Sequence, residues 1–184
     1  MTETFPLPYA DSYWVAPGEL MAGEYPGGYE EAVIRRRIIS LLRCGVNTFV
    51  DLTRPGDSLR PYQGILSEEA DLYQKKVNWL NFPILDFSIP SIGQMNKIIA
   101  AIHEHITEGN IVYVHCLAGI GRTGMVVGCY LVNQGLSGQE ALMQIKHLRR
   151  NTPSWWHSSP ENEEQVSFIL NWENAREKRN ENSV

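Results

Sequence analysis

Apolar residues in this chain fall either into short runs, which suit strands, or into stripes with helical spacing, and the two kinds of segment alternate. Trp14–Val15 and Leu20–Ala22, broken by Pro17-Gly18, predict a short β-hairpin or edge pair. Ala32 to Cys44 predicts a helix ended by Gly45, and Thr48-Phe-Val-Asp-Leu52 a short strand running into the turn-rich Arg54-Pro-Gly-Asp57. Ser67 is placed to cap a helix to about Lys76, after which Asn78-Trp-Leu-Asn-Phe82 reads as a strand. Ser91 with Gln94 makes a capping-box pattern opening a long helix to about Thr107, and on it Ile92, Met95, Ile99, Ile102 and Ile106 form a core-facing stripe. Ile111–Val114 is an apolar strand and Met125–Val132 an apolar helix. Ser137 with Glu140 repeats the capping box for a helix to about Arg150, and a last helix runs from Pro160–Asn162 to about Asn174.

This alternation predicts an α/β fold: a single domain over residues 1–174, with a largely parallel central sheet and helices on both faces. The charged tail 175–184 is expected to fray. Ligands of such sheets bind beyond the C-terminal strand ends. Three predicted strand ends deliver chemistry there: Arg54 and Asp57 after the first, Asp86 after the next, and Cys116 after the third.

At 184 residues the chain is long enough to bury a core without staples. A net charge of −5, from 16 basic and 21 acidic residues, gives no sign of nucleic-acid or anionic-membrane binding. Three irregularly spaced cysteines argue against a disulfide framework and for a reducing compartment. The start Met1-Thr-Glu-Thr-Phe-Pro lacks the pattern of a signal peptide, and no apolar run approaches the roughly 20 residues of a membrane span. A cytoplasmic protein is expected, its oligomeric state left open.

The chemistry concentrates in His115-Cys-Leu-Ala-Gly-Ile-Gly-Arg-Thr-Gly124, between a strand and a helix. The backbone N–H groups of Leu117, Ala118, Gly119, Ile120 and Gly121 can curl around one point ahead of a helix N-terminus, a nest suited to a phosphate dianion. Those dipoles and the fixed charge of Arg122 favour a thiolate at Cys116. Arg122 can grip two phosphoryl oxygens through its planar fork. Gly119, Gly121 and Gly124 permit close approach where a Cβ would intrude. Thr123 is placed to donate its hydroxyl to the sulfur, and His115 to hold the loop's shape rather than act as a base. The same residues match G-x-G-x-x-G, the dinucleotide-binding pattern, but a second helix follows where a nucleotide fold needs a strand, and no acidic strand end lies about twenty residues on.

HCLAGIGRTG resembles the His-Cys-x5-Arg-Thr/Ser signature of the cysteine-dependent protein tyrosine phosphatase superfamily. The resemblance extends from about Trp14 to about Leu170 and is nearest the dual-specificity-like branch, which includes the cyclin-dependent kinase-associated phosphatase. It implies a phosphatase-like α/β fold and a metal- and cofactor-independent phosphomonoesterase working through a cysteinyl-phosphate. Phe82-Pro-Ile-Leu-Asp-Phe-Ser-Ile-Pro-Ser91, thirty residues upstream of the cysteine, resembles the family's mobile acid loop, with Asp86 as general acid. Asp86 also fits without the resemblance, because a carboxyl at a strand end can overhang the site and protonate a leaving oxygen, worth on the order of 10²–10⁴-fold.

Gln165 lies where the family often carries a water-positioning glutamine; a plain helix-surface residue is the other reading. Arg54 either steadies substrate or loop, or is a solvated turn residue. Trp155-Trp-His157 either walls the cleft or sends a tryptophan into the core. His103 and His105, two apart on a helix, point in different directions and suit a solvated face rather than a metal. Arg35-Arg-Arg37 and the Lys146, His147, Arg149, Arg150 face also read as solvated, and Cys44 and Cys129 as small core residues. The loop interior lacks the basic residues that lipid-phosphate relatives often carry, which favours a phosphorylated protein or peptide substrate. An inositol-phosphate or phosphoinositide phosphatase, and a phosphopeptide-binding pseudophosphatase, remain the alternatives.

Overall fold

The computed structural model describes residues 6–57 and 60–172. The frayed tail and the 174 domain boundary expected from the sequence lie outside them. The chain runs β1 (Ser12–Ala16), β2 (Leu20–Gly23), α1 (Glu31–Arg43), β3 (Val46–Asp51), α2 (Gln63–Leu72), β4 (Asn78–Asn81), α3 (Ile92–Thr107), β5 (Ile111–His115), α4 (Gly121–Asn133), α5 (Gly138–Leu148) and α6 (Glu163–Leu170). The sheet has five strands in the order β1-β2-β5-β3-β4. Within this sheet the β1–β2 hairpin is antiparallel, and β2, β5, β3 and β4 run parallel. The α/β architecture expected from the alternation is the one found.

Alternation along the strands divides the core in two. Leu20, Ala22, Val50, Val112 and Val114 pack with α3, α4, α5 and α6 on one face. Met21, Phe49 and Tyr113 pack with α1 and α2 on the other. A register shift between Val46 and Thr48 resets the period of β3, and the intervening Asn47 receives the Ile111 N–H at 3.0 Å and donates to Asn110 at 2.8 Å. The parallel ladder continues past the strand ends, with Leu52 N–H on His115 O and Ile84 N–H on Leu52 O. This continuation draws the three exit loops together over one end of the sheet.

Two elements differ from the sequence pattern. Ser67 caps nothing: α2 starts at Gln63, four residues before it, because buried Tyr62 and Leu66 anchor that end in the core. It stops at Leu72, well short of Lys76, and Gln74 leaves it with φ +52°. On α3 the core stripe is Met95, Ile98, Ile99 and Ile102, while Ile92 is exposed. Ser91 Oγ accepts the Gln94 N–H as a cap should, but the Gln94 side chain donates to Pro83 O at 2.9 Å instead of completing the box. Half of that local signal is spent tying down the Phe82–Ser91 loop. Ser137 and Glu140 do form a full capping box.

Candidate active site

Cys116 is the first residue beyond β5 and is buried. The loop it opens is braced from beneath: Tyr25 N–H donates to Leu117 O at 3.0 Å, and Ser159 Oγ to Ile120 O at 2.8 Å. Gly119 takes φ +70°, and a Cβ there would lie 2.4 Å from the Gly23 carbonyl carbon, so glycine is needed for both angle and approach. Ile120, the N-cap of α4, makes no side-chain cap, so the first-turn amides depend on other partners.

His115 is fully buried behind the cysteine. Tyr62 receives a hydrogen bond from Trp79, and burial holds its hydroxyl well above the usual phenol range, so it stays protonated and donates to His115 Nε2 at 2.7 Å. The ring proton is thereby placed on Nδ1, 3.3 Å from Cys116 O. Burial lowers the His115 pKa and Arg122 adds to the effect, against the opposing pull of Asp51 and of the Cys116 carbonyl. A neutral imidazole with both nitrogens engaged therefore lies against the backbone at Cys116.

Arg122 is 1% exposed, and its guanidinium is the electrostatic centre of the site. Nη1 donates to Asp57 Oδ2 at 2.5 Å and to Ile84 O at 3.1 Å, which fixes the plane of the fork. Asp86 Oδ1 lies 3.1 Å from Nη2 as an ion pair, while Nε and Nη2 make no hydrogen bond. Burial opposes the charge, but Cys116, Asp57 and Asp86 outweigh it and raise the Arg122 pKa. Desolvation works against the Asp57 carboxylate too; Arg122 and the Arg54 N–H at 3.1 Å nonetheless hold it below the usual range. Thr123 Oγ1 is buried beside this group with no hydrogen-bond partner.

Asp86 stands on the loop after β4, its side chain 43% exposed. Phe87, which follows, has φ +57° and is 64% exposed, an uncommon conformation for an aromatic residue. The loop is fastened by α6: Asn162 Nδ2 donates to Phe87 O at 2.9 Å and Gln165 Nε2 to Ser88 O at 3.3 Å. Gln165 is therefore no helix-surface residue; it is fully buried.

Of the remaining expected residues, Arg54 is exposed on a cavity of about 180 Å³ that borders Leu117, Tyr25 and Trp79. Trp155 and Trp156 are both exposed, neither entering the core. The basic face is not uniformly solvated: Arg149 is buried, donating to Ser154 O and His157 O at 3.1 and 3.0 Å. Arg35 pairs with Glu31, Glu68 and Glu69, and Arg37 with Glu24, so these too are bound rather than free in solvent. His103 stacks on Tyr130, with ring centroids 5.4 Å apart. Cys129 is buried and Cys44 half-buried. Among the described residues, no group of three or more His, Cys, Asp or Glu is arranged to hold a metal ion. Likewise, no helix is long and apolar enough to cross a membrane.

The sequence reading assigned nothing to Tyr62, Ser159 or Asn162. Asn162 alone carried a usable signal, since it sits at a predicted helix start where an asparagine caps, and it does accept the Gln165 N–H at 2.9 Å.

A cysteine and an arginine sharing one strand–loop–helix turn, overhung by an aspartate from the neighbouring exit loop, define the class of the cysteine-dependent phosphatases. Comparison with known proteins agrees. The model of the Swiss Army Knife protein DSP-PTPase phosphatase domain matches residues 10–169, and the chain belongs to that family. An Arabidopsis thaliana protein named phosphatidylinositol 3,4,5-trisphosphate 3-phosphatase and protein-tyrosine-phosphatase PTEN1 is 30% identical over 154 residues, 82% of this chain and 35% of that protein. The chain spans only 16% to 35% of the length of the first curated relatives it matches. The crystal structure of Tk-PTP in its active form is 26% identical with a TM-score of 0.71, covering 90% of this chain and 98% of that one. Kinase-associated phosphatase, at 18% identity and a TM-score of 0.66, covers 85% and 86% and shares the fold.

Proposed function

We propose that the protein hydrolyses phosphomonoesters through a cysteinyl-phosphate, with phosphorylated protein or peptide as substrate. The observation that carries this reading is the meeting of Asp86 Oδ1 and Arg122 Nη2 at 3.1 Å, which brings two separately predicted pieces into one site. Cys116 Sγ attacks phosphorus while Arg122 Nε and Nη2 and the loop amides take up the equatorial oxygens. Asp86 gives its proton to the leaving oxygen, and the P–O bond breaks as the S–P bond forms. In the second step the ionised Asp86 accepts a proton from a water that attacks phosphorus. Gln165 helps position that water, and Thr123 Oγ1 donates to the departing sulfur. Charge stabilisation falls to Arg122 and the amides, so the chemistry asks for no metal. Cys116 and the two other free cysteines suit a reducing cytoplasm.

A protein substrate is favoured by the rim. Leu85 and Phe87, on either side of Asp86, are exposed, and such apolar side chains supply contact area to a substrate side chain. The loop interior 117–121 carries no basic residue for additional phosphates. One observation favours the lipid alternative: the Arabidopsis relative is named for both activities.

The deciding experiment is steady-state hydrolysis of an aryl phosphate by wild type, Cys116→Ser and Asp86→Asn in EDTA. It is followed by phosphotyrosine and phosphoserine peptides set against phosphoinositides. Turnover lost in the serine variant and slowed in the asparagine variant, with peptides preferred, is the expected result. Wild type that binds phosphopeptide without turnover would make the protein a binding module, and a preference for phosphoinositides would make it a lipid phosphatase.

A further inference from the structure

Glu161, just ahead of α6, has no part in the mechanism above, and although the residue is exposed its carboxylate lies against Gly121 of the Cys116–Arg122 loop. A methyl group built on Gly121 would fall 2.0 Å from Glu161 Oε2, and the Gly121 backbone hydrogen-bonds that carboxylate. Its own N–H donates to Gln165 Oε1 at 3.3 Å, while the other end of that amide holds Ser88 O on the acid loop. Gly121 immediately precedes Arg122, and the N–H groups of such a loop are what hold a bound oxyanion. The carboxylate therefore lies beside a donor that a phosphoryl group needs.

We propose that Glu161 is a resident anion of the phosphate cradle, competing with an incoming phosphoryl dianion for the Gly121 N–H and penalising ligands that carry further phosphates beside the bound one. This rests on the phosphatase reading only in taking the loop as an anion cradle. Like charges a few ångströms apart oppose one another, so the dianion binds better when the Glu161 carboxyl is protonated, and by reciprocity the bound dianion favours that proton. The charged groups facing Glu161 are Asp86 on the acid loop, Arg122 on α4 and His157 on the segment before α6. Desolvation and Asp86 raise the Glu161 pKa; Arg122, the Gly121 hydrogen bond and His157 work the other way without cancelling them. The competition is thus relieved as the medium becomes acidic.

The test uses sulfate, which stays a dianion over the working range. Its dissociation constant is measured by isothermal titration calorimetry from pH 4.5 to 7.5 for wild type and Glu161→Gln, with aryl phosphate turnover followed in parallel. At pH 7 the glutamine variant binds sulfate about 5- to 10-fold more tightly, the gain expected on removing one like charge at close range. The two curves converge towards acid pH, and their difference isolates Glu161 because every other group of the site is common to both proteins. Equal constants throughout, or weaker binding in the variant, would overturn the proposal, and weaker binding is what a merely structural Glu161 would give. A second measurement needs no variant: carboxyl NMR of wild type, in which saturating sulfate raises the Glu161 pKa if the proposal holds and leaves it unmoved if not. Turnover with unchanged sulfate constants sinks the Glu161 proposal alone. Sulfate binding with the expected pH dependence but no turnover sinks the phosphatase reading and keeps the proposal.

Discussion

The two loops that meet at Arg122 are built by opposite means. The loop from Cys116 to Gly121 is short, braced on β2 and Ser159, and shaped by Gly119 and by buried His115. Its geometry is fixed before any ligand arrives, because each brace is a short contact to rigid neighbours. The acid loop from Phe82 to Ser91 exposes Leu85, Asp86 and Phe87 and is held at its ends by contacts from α3 and α6. Arg122 holds Ile84 O and pairs with Asp86, and beyond these contacts the loop's position rests on three side-chain amides, each bond worth about 1 kcal/mol net. On the roles proposed above, the half of the site that would hold the anion is preorganised, whereas the half that carries Asp86 is poised by weak contacts and can move on the timescale of lid loops.

That contrast can be broken by variants of graded effect. Cys116→Ser should lower aryl phosphate turnover by more than about 10³-fold while sulfate binding persists, because the nucleophile is lost and the cradle kept; retention of substantial activity would end the thiolate mechanism. Arg122→Lys should cost on the order of 10²–10³-fold and weaken sulfate as well, since a point charge replaces the fork. Asp86→Asn should cost about 10²-fold in kcat with sulfate affinity within a few-fold of wild type, separating the two loops by readout. Asn162→Ala should lower kcat by about 5-fold with little change in sulfate binding, through loss of its hydrogen bond to the acid loop and of the α6 cap that places Gln165. An equal fall in sulfate affinity would show that the loops are one unit.

The smallest effect concerns the buried histidine. His115 in the folded protein has a pKa below its ordinary 6.5, so on acidification the unfolded chain takes up the proton first. Stability should fall as pH drops from about 6.5 towards the folded value, and level off below it. Urea midpoints from pH 8 to pH 5 measure this, and His115→Gln should flatten that part of the curve even though it lowers stability at pH 7.

Cys116, Arg122 and Thr123 were legible because the chemistry of an anion nest forces them onto one continuous strand–loop–helix segment. Asp86 was legible as a strand-end carboxyl, since parallel strands bring their exits to one edge. Gln165 was not, because nothing in the run Glu161–Gln165 tells which side chain a helix start turns inward; burial against Ser88 decides it. Arg149 looked like one of several surface basic residues, and the carbonyls of Ser154 and His157 and the Ser154 hydroxyl, folding back across it, make its burial tolerable. Ser67 satisfied the local rule for a cap and lost to the buried anchors Tyr62 and Leu66.

By itself the sequence determined the α/β alternation, the hairpin at the sheet edge and the strand–loop–helix turn from Cys116 to Arg122, all of which rest on hydrophobic period and on contacts within a few residues. The tertiary structure decided the tautomer of His115 through Tyr62, the fastening of the acid loop by Asn162 and Gln165, and the turn of Glu161 towards Gly121. Those contacts join residues dozens of positions apart. Local propensity carries no term for them, and they exist only once the sheet has brought its strand ends together.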